Sequence, residues 1–261
     1  MTAATSFAAV SVALPGGEKL QLLRGGSRTP LLYLHGFEGH PGDHAFLQAL
    51  ASSHTVIAPT HPGFDESDEV RSIEDIVDLA LAYRHVIAQE PGGPVDLVGH
   101  SMGAMIAAEV AALSPHLVRK LVLLNPFGLW LDEAPTPDFF IMTPGELKRA
   151  MWATPPAEPA TNGNPAAPDK AAMIRRYRNF GAASRYLWPI PDRGFRKRAR
   201  YVEAPTLGLF GSNDGLIPLT YAAAWEKAIP GLRATVLDGG HQLPFEQPEA
   251  VAAAIATFLG E

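Results

Sequence analysis

A serine set between two glycines is the first candidate for chemistry in this chain. The pentapeptide GHSMG, Gly99–Gly103, follows the apolar run Val95–Val98 and precedes the alanine-rich stretch Ala104–Leu113. A sharp turn from strand to helix crowds the backbone at its middle residue, and flanking glycines remove the side chains that would clash. Ser101 would then stand at a strand end, above a helix N-terminus that favours developing negative charge. The pattern predicts a nucleophile, and an ordinary turn serine is the alternative.

A histidine is the base that such a serine needs. A hydroxyl is a poor nucleophile near neutral pH, and imidazole has an unperturbed pKa of about 6.5. Of the nine histidines in the chain, His241 has the most suitable context. It follows the apolar run ATVLDGG and precedes LPFEQPEAVAAAIATFL, which has the period of a closing helix. An ordinary surface histidine is the alternative.

A third candidate is LLYLHGFEGHPGDH, which places His35, His40 and His44 within a short stretch. Such a group could hold a metal ion. However, Pro41–Gly42 stands between His40 and His44, and this dipeptide argues against a helix that presents both rings on one face. We therefore expect no metal site here. The stretch is expected to lead into the next helix, with Asp43 as a candidate N-cap.

Apolar runs along the chain predict the elements that hold these residues. Helical periods lie between the runs, and in one of them Ile73, Ile76 and Val77 share a face, with Ser72 as a candidate N-cap. Apolar strands that alternate with helices indicate an α/β fold, with a mostly parallel central sheet and helices on both faces. The seven runs that predict strands are SFAAVSVAL, LLYLHG, TVIAP, VDLVGH, LVLLNP, TLGLFG and ATVLDG.

Residues 129–202 depart from this alternation. They contain no convincing strand run, and the stretch TPPAEPATNGNPAAP, with five prolines, indicates a loop. Helical pieces flank this loop, so the sequence predicts a mostly helical insertion between two strands of the sheet. The segment Lys170–Arg200 holds ten of the 21 Lys and Arg residues against a single acid, Asp192. A solvated basic face is one explanation, and an arginine that binds an anionic substrate group is the other.

Together the motifs resemble the α/β-hydrolase superfamily, specifically its capped serine hydrolases with a GHSMG turn. The resemblance implies a hydrolase core at residues 1–128 and 203–261, with residues 129–202 as a helical cap. One departure is Asp65, which stands where the family's H-P-G-x-G-x-S segment has its second glycine. The segments that stand in the family's order and spacing are LLYLHGFEG, APTHPGFDES, LVGHSMGAM, LVLLNP, LGLFGSNDGLIP and GGHQLPFEQPEAV.

The resemblance also implies the acid that orients the histidine. Asp214 lies after the next-to-last predicted strand, in the family's pattern G-x-x-D-x-x-x-P. Some relatives place the acid one strand earlier, but that position is near Asn125, and an amide cannot act as an anion. Asp238 is too close in sequence to His241 and is expected to help form its loop. The chain order Ser101, Asp214, His241 is that of the α/β-hydrolases.

An oxyanion hole completes the expected site. The backbone N–H of Met102, directly after the nucleophile, is one donor. The family places the other donor after a His-Gly pair, here at the N–H of Phe37. Glu38 follows this donor, and an acid at the site entrance would disfavour anionic substrates. Residues expected to contact substrate are His35, Gly36, His100, Leu243, Arg185 and Arg193.

The resemblance implies two-step acyl transfer by a carboxylesterase acting on small to medium esters, without metal or cofactor. A lactonase would use the same parts. A carbon–carbon bond hydrolase of ring-fission products is the second enzyme candidate, because such relatives bind a substrate carboxylate through a cap arginine, here Arg185 or Arg193. Those relatives usually carry a tryptophan soon after the histidine, whereas this chain has Leu243 and Phe245. A hydrolase-fold ligand-binding protein is the non-enzyme alternative.

Composition limits the classes of partner. With 261 residues, 47% hydrophobic, the chain fits one large domain or a domain with an insertion. A net charge of −6 gives no electrostatic case for nucleic acid or an anionic membrane. The absence of cysteine excludes disulfides and thiolate metal sites. No apolar run reaches about 18 residues and no basic segment precedes the first one, so we expect a cytoplasmic protein that acts on a small molecule. The sequence does not separate a monomer from a dimer.

Overall fold

An eight-stranded sheet forms the centre of the fold. The computed structural model describes residues 5–40, 44–65, 67–156, 160–161, 164–165, 170–189 and 193–261. The strand order in the sheet is β1-β2-β4-β3-β5-β6-β9-β10, and β7 pairs with β8 separately. The strands in these ranges are β1 (Phe7–Ala13), β2 (Lys19–Gly25), β3 (Pro30–Leu34), β4 (Thr55–Pro59), β5 (Val95–His100), β6 (Val118–Leu124), β7 (Ala160–Thr161), β8 (Asn164–Pro165), β9 (Thr206–Gly211) and β10 (Arg233–Leu237).

The strands from β4 through β3, β5, β6 and β9 to β10 run parallel. Because β4, β5 and β9 are buried along their whole length, they have the continuous apolar sequences that a sheet covered on both faces requires. All seven predicted strand runs are strands. Since parallel strands end at one edge of the sheet, the loops after β3, β5, β6, β9 and β10 meet there. Those loops begin near His35, Ser101, Asn125, Ser212 and Asp238.

The first two strands make the sheet mixed. β1 pairs antiparallel with β2, and β2 pairs antiparallel with β4. β2 has no counterpart among the predicted strand runs. Its Lys19 and Gln21 are exposed while Leu20 and Leu22 are buried, so it alternates polar and apolar residues and has no continuous apolar run.

Helices cover both faces of the sheet. α2, α3 and α7 contribute to one apolar core, while α1 and α9 contribute to a second core on the other face. None of the helices in the described ranges combines the length and apolar character needed to cross a bilayer. The helices are α1 (Ala45–Ala51), α2 (Ile76–Ala88), α3 (Met102–Leu113), α4 (Pro144–Met151), α5 (Lys170–Leu187), α6 (Phe195–Arg198), α7 (Thr220–Ala228), α8 (Leu243–Glu246) and α9 (Pro248–Gly260).

Helix α2 begins later than the sequence pattern indicated. Asp75 is its N-cap, and its Oδ1 accepts the N–H groups of Val77 at 2.7 Å and Asp78 at 3.0 Å. The prediction of Ser72 as N-cap was wrong, because the Ser72 hydroxyl instead donates to Glu18 Oε1 at 2.9 Å. A serine and an aspartate are both good N-caps, and the sequence pattern alone did not separate them.

The insertion, residues 129–202, lies between β6 and β9. Its described part is mostly helical, as predicted, with α4, α5 and α6. The pairing of β7 with β8 was not predicted and involves two residues on each side. Parts of the proline-rich loop, and Asp192, lie outside the described residues. The insertion is tied to the hydrolase core by Arg198, which donates to both carboxylate oxygens of the buried Glu109 at 2.7 and 2.5 Å.

Candidate active site

Ser101 stands on the turn between β5 and α3. Its backbone has φ 59° and ψ −120°, a positive φ that residues other than glycine rarely adopt. A Cβ on Gly99 would lie 2.3 Å from the Gly103 carbonyl oxygen, and one on Gly103 would lie 2.1 Å from the Leu34 carbonyl oxygen. Both contacts are with backbone, which cannot move aside easily. The two glycines therefore permit the turn for the steric reason that the sequence suggested.

Ser101, His241 and Asp214 form a continuous hydrogen-bonded chain. The distance from Ser101 Oγ to His241 Nε2 is 2.8 Å, and that from His241 Nδ1 to Asp214 Oδ2 is also 2.8 Å. The His241 and Asp214 side chains are 0% and 1% exposed. Because a carboxylate accepts, Nδ1 donates to it and Nε2 is left to accept from the serine hydroxyl. The other oxygen, Asp214 Oδ1, accepts the N–H groups of Leu216 and Ile217 at 2.8 Å each.

The carbonyl group of His241 is held by two side chains. His100 Nε2 donates to it at 2.7 Å, and Asn125 Nδ2 donates to it at 3.0 Å. Asn125 Nδ2 also reaches the Gly240 carbonyl at 3.0 Å, while its Oδ1 accepts the N–H of Gly211 at 2.8 Å. Burial, and then the nearby His241, lower the pKa of His100 to about 3, so its ring is neutral at pH 7. These donors fix the loop that carries the His241 imidazole.

Asn125 is a site residue whose role the sequence reasoning missed. The sequence pattern places Asn125 near the position at which some relatives carry the acid, a role that an amide cannot fill. It has a φ of 44° and is fully buried at the carboxyl end of β6. A polar residue that directly follows a buried parallel strand was the signal that could have identified it, because such ends face the site in α/β folds.

The end of helix α4 contacts both loops that carry the acid and the histidine. The Ala150 carbonyl accepts the N–H of Gly215 at 2.9 Å, one residue after Asp214. The Met151 carbonyl accepts the N–H of Gln242 at 2.9 Å, one residue after His241. The last carbonyl groups of a helix have no hydrogen-bond partner within the helix. In α4 these carbonyl groups instead bind the two core loops.

The Phe37 and Met102 amides lie on the two segments that meet at Ser101. Met102 is the first residue of α3, and Phe37 belongs to the loop after β3. A Cβ on Gly36 would lie 3.1 Å from the Ser101 Cβ, so this loop passes directly beside Ser101. In the described ranges neither amide N–H donates a hydrogen bond to a protein acceptor. Both donors are thus available to a ligand oxygen.

A cavity of about 280 Å³ opens at Ser101 and His241. Phe37, Met151, Trp152 and Phe245 provide much of its apolar wall. The expected contacts Gly36 and His100 line it. His35 and Leu243 are not among its lining residues, and both are buried, Leu243 in the core that also contains α1 and α9.

The two expected arginines lie away from the cavity lining. Arg185 Nη2 donates to Glu69 at 3.0 Å, and Arg193 Nη1 donates to the Trp188 carbonyl at 2.5 Å. Arg175 lines the cavity instead, and Arg176 lines a neighbouring cavity that shares Glu38, Met151 and Trp152 with the first. The insertion therefore does present an arginine to the site, although from an earlier turn of α5.

Glu38 lines both cavities. Its side chain is exposed, yet it lies in a concave region where surrounding protein atoms reduce its hydration. This desolvation raises the pKa of Glu38, against the opposing effects of Arg176, His241 and Arg175. The mouth of the first cavity, where Glu38 lies, is thus lined by Arg175 and by two acidic residues, Glu38 and Asp65, while Arg176 lines the neighbouring cavity.

Asn179 of α5 connects the insertion to two core loops. Its Nδ2 donates to the Glu38 carbonyl at 2.7 Å and to Asp65 Oδ1 at 3.0 Å, while its Oδ1 accepts the Asp65 N–H at 2.7 Å. Asp65 adopts a φ of 48° where the family pattern has glycine, and its Oδ2 also accepts the His40 N–H at 2.6 Å. The departure at Asp65 therefore supports the loop, and Asn179 was missed by sequence reasoning.

His35, His40 and His44 belong to no potential metal-binding group among the residues that the structure describes. No group of three or more His, Cys, Asp or Glu residues with suitable geometry occurs in the described ranges. The His40 and His44 rings are 6.0 Å apart between centroids. Burial lowers the pKa of each to about 4. His44 precedes α1 as its N-cap residue without a side-chain cap bond, and Asp43, the candidate cap, lies outside the described residues.

The fold agrees with comparisons to known proteins. A family model described as the alpha/beta hydrolase family matches residues 31–254. That range covers most of the chain, and the chain therefore belongs to the alpha/beta hydrolase family. The α/β-hydrolase fold expected from the sequence is confirmed.

Individual relatives share less than 30% sequence identity with this chain in the three comparisons that follow. The chain is 28% identical over 234 residues to pyrrolizixenacetamide deacetylase of Xenorhabdus hominickii, covering 82% of this chain and 83% of that protein. It is 29% identical over 265 residues to polyketide synthase ThaQ of Burkholderia thailandensis, covering 95% of this chain but only 12% of the synthase. A solved structure of a membrane phospholipase A, a bacterial virulence factor, aligns with TM-score 0.82 and 23% identity, covering 97% of this chain and 86% of that one.

Proposed function

We propose that this protein is a serine hydrolase that cleaves small to medium carboxylic esters. The observation that carries the proposal is the hydrogen-bonded chain from Ser101 through His241 to Asp214, with both distances at 2.8 Å. A serine hydroxyl bonded to a buried imidazole, which is in turn bonded to a carboxylate, is the arrangement that activates a serine. The relative named as a deacetylase supports the removal of acyl groups by a chain of this kind.

The reaction would proceed in two steps. His241 Nε2 takes the proton of Ser101 Oγ as this oxygen attacks the ester carbonyl carbon, and the carbonyl electron pair moves to oxygen. When the tetrahedral intermediate collapses, the alcohol leaves with the proton from His241. Water, deprotonated by His241, then attacks the acyl-enzyme and releases the acid with regeneration of Ser101. Asp214 stays ionised and stabilises the imidazolium.

The amides of Phe37 and Met102 would stabilise the oxyanion. They are preorganised on rigid segments, at the loop after β3 and at the start of α3, and they need no rearrangement as charge develops. No step in this mechanism requires a metal ion or an organic cofactor.

Residues 129–202 would form a cap over this site. α4 and α5 supply Met151, Trp152 and Arg175 to the cavity wall, while residues 1–128 and 203–261 supply the reacting groups. The cavity of about 280 Å³ lies just below the usual range of roughly 300–1,000 Å³ for ligand sites, which favours short acyl or alcohol groups.

A second candidate is a carbon–carbon bond hydrolase whose substrate carries a carboxylate. Arg175 is the observation that favours it, because this guanidinium lines the same cavity as Ser101. Glu38 at the same mouth opposes an anionic substrate, so we place this candidate second. A lactonase would use the ester mechanism unchanged.

A panel of p-nitrophenyl esters, from acetate to octanoate, tests the proposal. We expect turnover that is highest for the shorter chains and that falls by more than about 10⁴-fold in Ser101→Ala. Saturable ligand binding without turnover would instead identify a hydrolase-fold binding protein. Cleavage of a dienone carboxylate in preference to every ester would favour the second candidate.

A further inference from the structure

The Gly36–Phe37 peptide group is fixed by two donors to its carbonyl oxygen. His35 Nδ1 lies 2.7 Å from the Gly36 oxygen, and the Gly39 N–H donates to the same oxygen at 3.2 Å. In a trans peptide the carbonyl and the following N–H point in opposite directions. Two donors that hold the Gly36 carbonyl therefore also set the direction of the Phe37 N–H, which belongs to the same peptide plane.

His61 determines which nitrogen of His35 carries the proton. The backbone N–H of His61 donates to His35 Nε2 at 2.9 Å, so this nitrogen must be an acceptor. A neutral His35 ring therefore has its proton on Nδ1, where it can donate to the Gly36 carbonyl. Burial, followed by the nearby His61 and His40, lowers the pKa of His35 well below its usual value, and the ring stays neutral.

The His35 carbonyl determines the proton position of His61, and Tyr83 then donates to the other ring nitrogen. His61 Nε2 lies 3.0 Å from the His35 carbonyl oxygen, which can only accept, so Nε2 is the protonated nitrogen. His61 Nδ1 is then an acceptor, and it bonds to the Tyr83 hydroxyl. His35, His61 and Tyr83 are at most 1% exposed, so water does not compete for these bonds. Each bond in the series has one allowed direction.

We propose that His61 and Tyr83 are positioning residues for the oxyanion hole, acting through His35 on the Gly36–Phe37 peptide. Neither side chain lines the cavity, and neither takes part in the mechanism above. The inference rests on the proposed function, because it assigns the Phe37 N–H to the oxyanion. Hydrogen bonds to the Gly36 carbonyl also polarise the peptide and strengthen its N–H as a donor.

The Tyr83→Phe variant removes the first donor of the series. We expect kcat for p-nitrophenyl acetate to fall about 10-fold, with KM unchanged within about twofold. The reason is that a misplaced Phe37 N–H weakens the bond to the oxyanion, which forms in the transition state, more than it weakens binding of the neutral ester. The affinity for an aryl trifluoromethyl ketone should fall by the same factor as kcat/KM. This inhibitor bonds its carbonyl carbon to Ser101 Oγ, and its oxygen becomes an oxyanion in the hole.

Tyr221→Phe is the matched control. Tyr221 is equally buried, and its hydroxyl accepts a hydrogen bond from the Leu131 N–H at 3.1 Å. Its loss should lower Tm to a similar extent without changing kcat. If Tyr83→Phe changes Tm alone, as Tyr221→Phe does, the inference is overturned and Tyr83 is a structural residue only.

His61 provides a second test should Tyr83→Phe fail to fold. His61→Leu should lower kcat at least as much as Tyr83→Phe is expected to, whereas His61→Gln, whose amide can replace the Nε2 donor, should recover part of the loss. Equal activity of the two variants would contradict the inference.

Nitrogen NMR of the wild-type protein tests the proton positions without any turnover. We expect a neutral Nδ1–H form of His35 and a neutral Nε2–H form of His61 at pH 7, and the opposite form of either ring overturns the inference. A wild-type protein that hydrolyses no ester refutes the proposed function and this inference together. An active wild type with an unaffected Tyr83→Phe refutes this inference alone.

Discussion

The two sides of the candidate site differ in how firmly their residues are held. On the core side, Ser101, Asp214 and His241 lie on loops that follow parallel strands of the sheet, and all three side chains are almost completely buried. On the insertion side, the first half of α5 presents Arg175 to the cavity but leaves Ile174 and Tyr177 69% and 72% exposed. The difference suggests that the sheet edge fixes the chemistry and that the less buried insertion tunes substrate preference.

The largest effect is expected on the core side, at Asp214. In Asp214→Asn the amide no longer favours the Nδ1–H form of His241, so we expect kcat to fall about 10⁴-fold. Steady-state kinetics on p-nitrophenyl acetate will measure this. Asp238→Asn is the matched control, since Asp238 Oδ1 contacts only Ser212 and Asn213 on the neighbouring loop at 3.2 Å. A similar loss in both variants would contradict the assignment of the acid.

The second-largest effect is expected from low pH, which should reduce the folding stability of the core side. Burial lowers the pKa of His40 and His44 to about 4 and that of His61 and His100 to about 3, whereas in the unfolded chain each is about 6.5. Below that pH the unfolded chain binds more protons than the folded protein, so stability is lost as pH falls from about 6.5 toward 4.

Urea unfolding at steps between pH 7.5 and 4.5 will measure this loss of stability. Residues 129–202 contain no histidine, so the effect originates in the core. A free energy of unfolding that stays constant over this range would show that the histidines are not held neutral.

A pair of glycine substitutions compares the packing of the two sides. In Gly103→Ala the new Cβ would meet the Leu34 and His35 carbonyl oxygens at 2.1 and 2.4 Å, and we expect a loss of about 3 kcal/mol or more. Gly181, within α5, has no atom within 4 Å of an added Cβ. Gly181→Ala should therefore stabilise by about 0.5–1 kcal/mol through helix propensity. Urea unfolding at pH 7.5 measures both, and a destabilising Gly181→Ala would mean that α5 packs more tightly than described.

The smallest effect is expected at the mouth. Arg175→Ala should raise KM for the p-nitrophenyl monoester of glutaric acid about two- to fivefold relative to the neutral butyrate ester, the effect of one partly screened charge. Arg185→Ala is the control, because this arginine pairs with Glu69 outside the cavity lining. Equal changes for both esters would mean that Arg175 does not recognise the anionic group.

The sequence predicted the core side better than the insertion side for a physical reason. Glycine spacing around Ser101 and the continuous apolar runs before the site loops are local patterns, and each has one steric or burial cause. By contrast, the choice between Arg175 and Arg185 depends on which side of α5 faces the core. That orientation is set by tertiary contacts of Asn179 and Tyr186, which no local pattern reveals.

Long-range bonds were also hidden from the sequence. Asn125 contacts residues 86 to 116 positions away along the chain, and the network from Tyr83 to His35 joins α2 to the loop after β3. Both depend on the folded sheet bringing loop ends together. The strand β2, which alternates polar and apolar residues, is likewise defined by its pairing with β1 and β4, which the sequence does not show.

The two hydrogen bonds from α4 limit how substrate can enter. The carbonyls of Ala150 and Met151 hold the segments beside Asp214 and His241, so a displacement of α4 would break both bonds and release the acid and the base together. Although α4 belongs to the insertion, we therefore expect it to stay in place relative to the core. If the proposed site is used for turnover, we therefore expect substrate to enter from the α5 side, and a crosslink from α4 to the core should leave turnover intact.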